Sequence, residues 1–240
     1  MKKAIYIIFV QIILIGCNSY SYKELEKKGS DSSFQGNDMH LIFDFDGTIA
    51  DTHSLAVQEL NKLSDEYGIN KVSLEWSKDY SMKEVLDTAG VKWYQLYFLA
   101  KDLKQEMKKN IKLIKAFDDI KNVLINLKNK GYTLGIMTSN SVDLVDEFLK
   151  LNDIHSFDYI YSGSSLFGKD KLIEKVIEQQ EIKNALYIGD EARDIEAMKK
   201  ANIPIIAVSW GWNSKKLLEE YNPDHLVDKP SELNDIVEKL

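Results

Sequence analysis

Leu41-Ile42-Phe43-Asp44-Phe45-Asp46-Gly47-Thr48 reads as a short apolar strand that runs straight into a turn. The apolar run supplies the strand, and the Asp46-Gly47 pair punctuates it. Asp44 and Asp46 stand two residues apart, a spacing that puts both on one face of a regular strand. At a strand end they converge on one small volume beyond the sheet. Two anions held that close repel unless a cation or a shared proton intervenes. An oxygen-rich site of this kind suits magnesium. On this stretch alone, a strand ending in an ordinary Asp-Gly turn stays open as the alternative.

The whole chain bounds that reading. Its 240 residues can bury a sizeable core, as one domain with an insertion or as two modest domains. Hydrophobic residues make up 44% and prolines number 3, which favours a globular α/β protein over disorder. A net charge of -7 leaves no basic footprint for general nucleic-acid binding. The single cysteine, Cys17, excludes an internal disulfide, and no Cys/His cluster has zinc spacing. The scattered histidines read as surface or satisfied core residues.

Downstream the pattern turns helical. Ala56, Leu60, Leu63 and Tyr67 recur at helical spacing, with Gly68 as the C-cap. Ser81 and Glu84 form a capping box that opens another helix. Trp93, Tyr94, Tyr97 and Phe98 read as an aromatic core cluster. Leu103, Met107, Ile111 and Ile114 make an apolar stripe. Opposite runs a lysine row (Lys101, Lys104, Lys108, Lys112 and Lys115), either a solvated face or one that draws anions or acidic lipid headgroups. The block 54–116 carries no strand pattern and reads as an insertion.

Strand patterns then return. Tyr132 to Met137 is a buried strand that delivers Thr138-Ser139-Asn140, either an N-cap or a phosphate-oxygen site at a helix N-terminus. Phe157 to Tyr161 reads as a strand and Ser162-Gly163-Ser164-Ser165 as a loop. Lys169 stands at a helix start, where the macrodipole disfavours a cation, so it needs another partner; Lys171 competes for that role. Ala185 to Ile188 leads into Gly189-Asp190-Glu191 and Arg193-Asp194. Ile203 to Val208 is the fifth strand, and Trp210-Gly211-Trp212 follows as a loop.

Five strands separated by helices, with the polar motifs at their C-terminal ends, describe an α/β, Rossmann-like doubly wound, mainly parallel sheet, whose sites lie beyond those ends. Asp-Phe-Asp-Gly-Thr, Met-Thr-Ser-Asn, Gly-Lys and Gly-Asp-Glu-Ala-Arg-Asp occur in that order. Together they resemble the haloacid dehalogenase-like hydrolase superfamily, and its phosphoglycolate phosphatase-like members in particular. The resemblance covers about residues 41–237. It implies an α/β core of residues 39–53 and 117–240, with residues 54–116 as an all-helical C1 cap. It implies a magnesium-dependent phosphatase for small phosphorylated substrates that works through a phospho-aspartate. Asp44 would be the nucleophile and Asp46 the acid/base. Thr138 would bind phosphoryl oxygens, helped by Ser139 and Asn140, and Lys169 would neutralise charge. Asp190 would hold magnesium with Asp44 and the Asp46 carbonyl, completed by Asp194 or Glu191. Dehalogenases of the superfamily lack the second Asp, so Asp46 argues against dehalogenation. A sugar phosphomutase uses the same residues and stays open, as does an inactive, lipid-anchored binding protein on this fold.

The N-terminus points to a place in the cell. Lys2 and Lys3 precede a roughly dozen-residue apolar run, a signal-peptide pattern too short for an ordinary spanning helix. Leu14-Ile15-Gly16-Cys17 resembles the lipobox of bacterial lipoproteins. The expectation is a signal peptide over residues 1–16, lipidation of Cys17, and a polar tether over residues 17–38. The protein would then sit in the bacterial cell envelope, in contact with the membrane only through that anchor. Translation from Met39 is the alternative and would leave a cytoplasmic enzyme.

Overall fold

The computed structural model describes residues 20–25, 38–163 and 168–240. Its strands are β1 (Tyr20–Glu24), β2 (Met39–Phe43), β3 (Thr133–Thr138), β4 (Tyr159–Gly163), β5 (Asn184–Gly189), β6 (Ile205–Val208) and β7 (His225–Val227). They form one sheet in the order β1-β4-β3-β2-β5-β6-β7. From β2 the chain adds β3 and β4 on one side, then crosses to add β5, β6 and β7 on the other, all parallel. The strand order therefore reverses at β2, and a doubly wound sheet opens its site at such a reversal. Asp44 is the first residue past β2, and its N–H still donates to the Ile188 carbonyl of the neighbouring ladder at 2.8 Å.

Two-residue periodicity splits β2 between two cores. Leu41 and Phe43 face a layer built by α5 (Ile120–Asn129), α6 (Val142–Leu151) and α10 (Glu232–Val237). Ile42 faces the other way, onto α7 (Lys169–Gln179), α8 (Ala192–Ala201) and α9 (Lys215–Glu220). A strand covered on both faces must be apolar throughout, which is why this run shows no polar alternation.

The insertion holds α1 (His53–Tyr67), α2 (Leu74–Ser77), α3 (Met82–Ala89) and α4 (Leu96–Lys109). It has a small core of its own, with Leu60, Ile69, Val72, Val85, Ala89 and Leu99. The expected caps are present: Gly68 takes a left-handed conformation after α1, and Ser81 with Glu84 closes a capping box at α3. The two ends of the insertion run side by side, because Ala50 bridges to Ala116 and the Asp51 N–H donates to the Lys115 carbonyl at 2.9 Å.

Four expectations are corrected. The sheet has seven strands rather than five, because β7 forms within the closing segment and β1 joins the opposite edge. β1 falls inside the stretch read as a polar tether. It pairs antiparallel with β4, Tyr20 opposite Gly163, and is held by a Lys23–Asp146 ion pair at 2.7 Å and by a tilted contact of the Tyr22 and Tyr161 rings at 4.8 Å. A five-residue strand half exposed to water carries no apolar signature, so only the free edge of β4 reveals it. That pairing also draws Ser162 and Gly163, read as loop, into β4; residues 164–167 lie outside the described residues. Finally, the aromatic cluster is not core. Leu99 takes the inward position on α4, which turns Tyr97 and Phe98 outward at 49% and 58% exposure, with Trp93 and Tyr94 also exposed. Cys17 and the signal-peptide stretch fall outside the described residues. Among the described residues, no helix is long and apolar enough to cross a membrane.

Gly135 in β3 marks how tightly the sheet meets its helices. A Cβ there would lie 2.1 Å from the ring of Tyr159. Gly135→Ala should therefore destabilise the protein by about 1–3 kcal/mol. Urea unfolding should report that loss as a lower midpoint at unchanged slope.

Candidate active site

Sheet and helices deliver four groups to one point. Asp44 comes off β2, Lys169 opens α7, Asp190 ends β5, and Asp194 lies in the first turn of α8. Carboxylate oxygens of Asp44, Asp190 and Asp194 lie within 4.8 Å of one another, and all three residues are buried. Lys169 Nζ donates to Asp44 Oδ2 at 2.6 Å and also to Asp194 Oδ1. That contact supplies the partner which a lysine at a helix start requires. Lys171, its competitor, faces solvent.

Each carboxylate is aimed by further contacts. Asp44 Oδ1 accepts from the Phe45 N–H at 2.8 Å, leaving Oδ2 to Lys169. Asp190 accepts from Thr48 Oγ1 at 3.0 Å and from the Trp212 N–H at 2.7 Å. Asp194 Oδ2 accepts from the Glu191 N–H at 3.1 Å. Asp46 stands apart from the trio and is half-buried, its Oδ2 accepting from Asn140 Nδ2 at 2.5 Å. Thr138 is buried at the end of β3, and its Oγ1 accepts from the Asn140 N–H at 3.0 Å. Ser139 is joined to the insertion, its carbonyl accepting from Lys104 Nζ at 2.8 Å. Glu191 is buried but pairs with Arg193 rather than joining the three clustered carboxylates.

Burial sets the electrostatics. It pushes the Asp44 carboxyl up to about 7, with Lys169 opposing and Asp194 adding to the rise. It raises Asp190 well above the carboxylate range, reinforced by Glu191, Asp44 and Asp194. Asp46 is raised by burial too, with hydrogen bonds from Thr52 and Asn140 opposing. For Lys169 burial disfavours the charge, yet Asp194 and Asp44 outweigh it and hold the ammonium protonated. Three buried carboxylates around a single shared lysine leave negative charge unbalanced. Their all-oxygen donor set fits a hard divalent cation such as magnesium.

Some residues of the site escaped the sequence reading. Thr48 and Trp212 orient Asp190, and Thr52 supports Asp46 while accepting from Trp212 Nε1 at 3.3 Å. Asn213 Oδ1 accepts from the Ala192 N–H at 2.8 Å, at the start of α8. Thr48 sat in the quoted motif, and the Trp-Gly-Trp run after a strand was visible as a loop. Neither carried a sign of its partner, which for Thr48 is Asp190, 142 residues on, and for Trp212 includes Thr52, 160 residues back.

The chain belongs to the haloacid dehalogenase-like hydrolase family, whose model matches residues 41–208. It is an enzyme of that family, a phosphatase. A phosphoglycolate phosphatase of Synechococcus elongatus is 27% identical over 206 residues, spanning 83% of this chain and 97% of that protein. Pyrophosphatase PpaX of Bacillus mycoides is 24% identical over 216 residues, spanning 83% of this chain and 97% of that one. Among solved structures, a haloacid dehalogenase-like family hydrolase from Streptococcus pneumoniae superposes with a TM-score of 0.70 at 24% identity. That superposition covers 82% of this chain and 97% of the other, a likeness of fold.

The loop that aims Asp190 has no spare room. A Cβ on Gly211 would lie 2.2 Å from Asp190 Oδ2 and 2.3 Å from the Gly47 carbonyl oxygen. Gly211→Ala should shift Asp190 and cut kcat/KM on a phosphate ester by about 10²-fold. Steady-state kinetics on a variant that still melts cooperatively would check this; unchanged turnover would mean that the loop does not place Asp190.

Proposed function

We propose that the chain hydrolyses small phosphate monoesters through a phospho-aspartate on Asp44, with magnesium as cofactor. One observation carries the reading: a buried lysine bridges Asp44 to Asp194, so that Asp44 is fixed at both oxygens in front of an open strand end. Asp44 attacks phosphorus while the bond to the leaving oxygen breaks, and that oxygen takes a proton from Asp46. Asp46 then removes a proton from water as the water oxygen attacks phosphorus. The bond to Asp44 breaks, inorganic phosphate leaves and the carboxylate is restored. Splitting the reaction this way replaces one prohibitive barrier by two lower ones. Asn140 holds Asp46 toward the leaving oxygen, and the Thr138 hydroxyl binds phosphoryl oxygens with support from Ser139. Lys169 balances the charge gathered on Asp44. Asp44, Asp190, Asp194 and the Asp46 carbonyl would hold magnesium, which lets an anionic nucleophile approach an anionic ester. The substrates named for the two relatives, phosphoglycolate and pyrophosphate, support a small anionic substrate here.

The same reading takes residues 54–116 as a cap over the site. It also takes the protein as a lipoprotein of the bacterial envelope, anchored through Cys17. The place of β1 in the sheet supports a chain that starts before Met39, since translation from Met39 would strip the edge of β4. Cys17 precedes β1 by three residues, a reach of about 10 Å when fully extended. An acylated Cys17 would therefore hold the catalytic unit close to the bilayer rather than on a long tether.

The full chain should release phosphate from p-nitrophenyl phosphate only with magnesium present, and Asp44→Asn should abolish that release. Asp46→Asn should cost about 10²–10⁴-fold on an alkyl phosphate and less on the aryl ester, whose leaving group needs little protonation. Turnover that survives Asp44→Asn would overturn the mechanism. The anchor is tested separately, by labelled palmitate in cells making the intact chain or Cys17→Ala. Label in the first and none in the second is expected; an unlabelled intact chain would remove the lipoprotein.

A further inference from the structure

Four aromatic side chains stand exposed at the start of α4, Trp93 and Tyr94 just before it and Tyr97 and Phe98 in its first turn. They meet edge to face, Trp93 with Tyr94 at 5.6 Å and Tyr97 with Phe98 at 5.3 Å. Leu99 beside them takes the buried position, and none of the four rings belongs to the small core of the insertion. Grouped apolar surface of this kind marks a place of contact.

The rest of that helix adds charge of one sign. Beyond the rings its exposed side chains are lysines and Gln105. Its two carboxylates are half-buried and engaged: Asp102 accepts from the Tyr67 hydroxyl at 2.5 Å, and Glu106 from Lys109 Nζ at 2.6 Å. Tyr97, Lys101 and Lys108 follow one another at four and seven residues, so they share one stripe of the helix. A chain with a net charge of -7 thus presents, on this helix, rings and ammonium groups with no exposed carboxylate among them.

β1 brings the N-terminal side of the chain to the same flank. Its Ser21 lines a cavity of about 440 Å³ together with Lys104 and Lys108. Lys104 lies on the stripe of Tyr97 and Lys101, two turns or about 10 Å beyond the rings. Cys17 stands three residues before Tyr20, so a lipid on it would hold that flank against a bilayer.

We propose that this face of α4 docks on an anionic bilayer, with the rings seated among the headgroups and Lys101 and Lys108 on anionic phospholipid. The choice of a bilayer as occupant rests on the lipoprotein reading, and it gives the protein a second membrane contact besides the acyl chain. Tryptophan and tyrosine suit that depth, being apolar in body and polar at the tip. Lysines near the surface gain from the negative potential of the headgroups.

The test uses the chain from Cys17 to Leu240, which keeps every described element, made without acyl chains so that only the protein surface can bind. Sedimentation should show binding to mixed phosphatidylcholine and phosphatidylglycerol vesicles about tenfold or more tighter than to phosphatidylcholine alone, weakening as salt rises. Tyr97→Ser/Phe98→Ser should lose most of the binding, and Lys101→Glu/Lys108→Glu the preference for anionic vesicles. Ile125→Ser, which removes an exposed apolar side chain outside the insertion, should keep both. No binding to mixed vesicles by the intact chain, or binding unchanged in both paired variants, overturns the docking face. Self-association without vesicle binding, lost in Tyr97→Ser/Phe98→Ser, assigns the face to a second copy and overturns it too. Vesicle binding here with no palmitate label in cells keeps the docking face and loses the lipoprotein; label in cells with no vesicle binding does the reverse.

Discussion

Three carboxylates gathered within 4.8 Å, nearly closed to water, form an arrangement that a fold must hold by force. Each would ordinarily be solvated, and each raises the cost of ionising the others. Lys169 is the counterweight the chain itself supplies. Its ammonium lies between Asp44 and Asp194, and the helix it opens packs into the core through Leu172, Ile173 and Val176. The backbone adds the rest: the Phe45, Glu191 and Trp212 N–H groups each aim one carboxylate oxygen. The sheet reversal at β2, the turn through Gly47 and the loop at Gly211 all serve this one convergence.

That constraint explains why the clustered groups are held by the sheet and its two cores. Asp44, Thr138, Asp190 and Asp194 come from strand ends and a helix start that share two cores, so none can move without the sheet. The insertion meets this platform through Leu55, Ile111 and Ile114, which join the larger core, through polar contacts such as Lys104 on Ser139, and through the His53 ring, tilted against Trp212 at 4.8 Å. Its small core is separate.

Much of this was legible in residue order. The spacing of Asp44 and Asp46, the apolar run before them, and the later Thr138, Lys169 and Asp190 each sit at the end of a strand or the start of a helix. A parallel sheet places all such ends on one side. Helix stops at Gly68 and the capping box at Ser81 were equally local, because they depend on residues within one turn. What escaped was non-local or weakly patterned. Tyr20 to Glu24 has no apolar face and becomes a strand only because β4 offers an unpaired edge. Trp93 to Phe98 are aromatic, yet Leu99 occupies the buried position on their helix.

The sequence by itself determined the fold class, the order of the motifs and the strand ends and helix starts that meet at the candidate site, since these follow from local periodicity and from side-chain type. Tertiary structure alone decided the partners. Glu191 and Asp194 are three residues apart and both acidic, and their order in the chain does not rank them. Folding turns Asp194 to Lys169 and the cluster, and turns Glu191 to Arg193. Thr48 and Trp212 meet at Asp190 from distant parts of the chain, and Lys104 meets Ser139 from the insertion. These are contacts between residues far apart in sequence, fixed by packing and by the need to satisfy buried polar groups, and no local pattern records them.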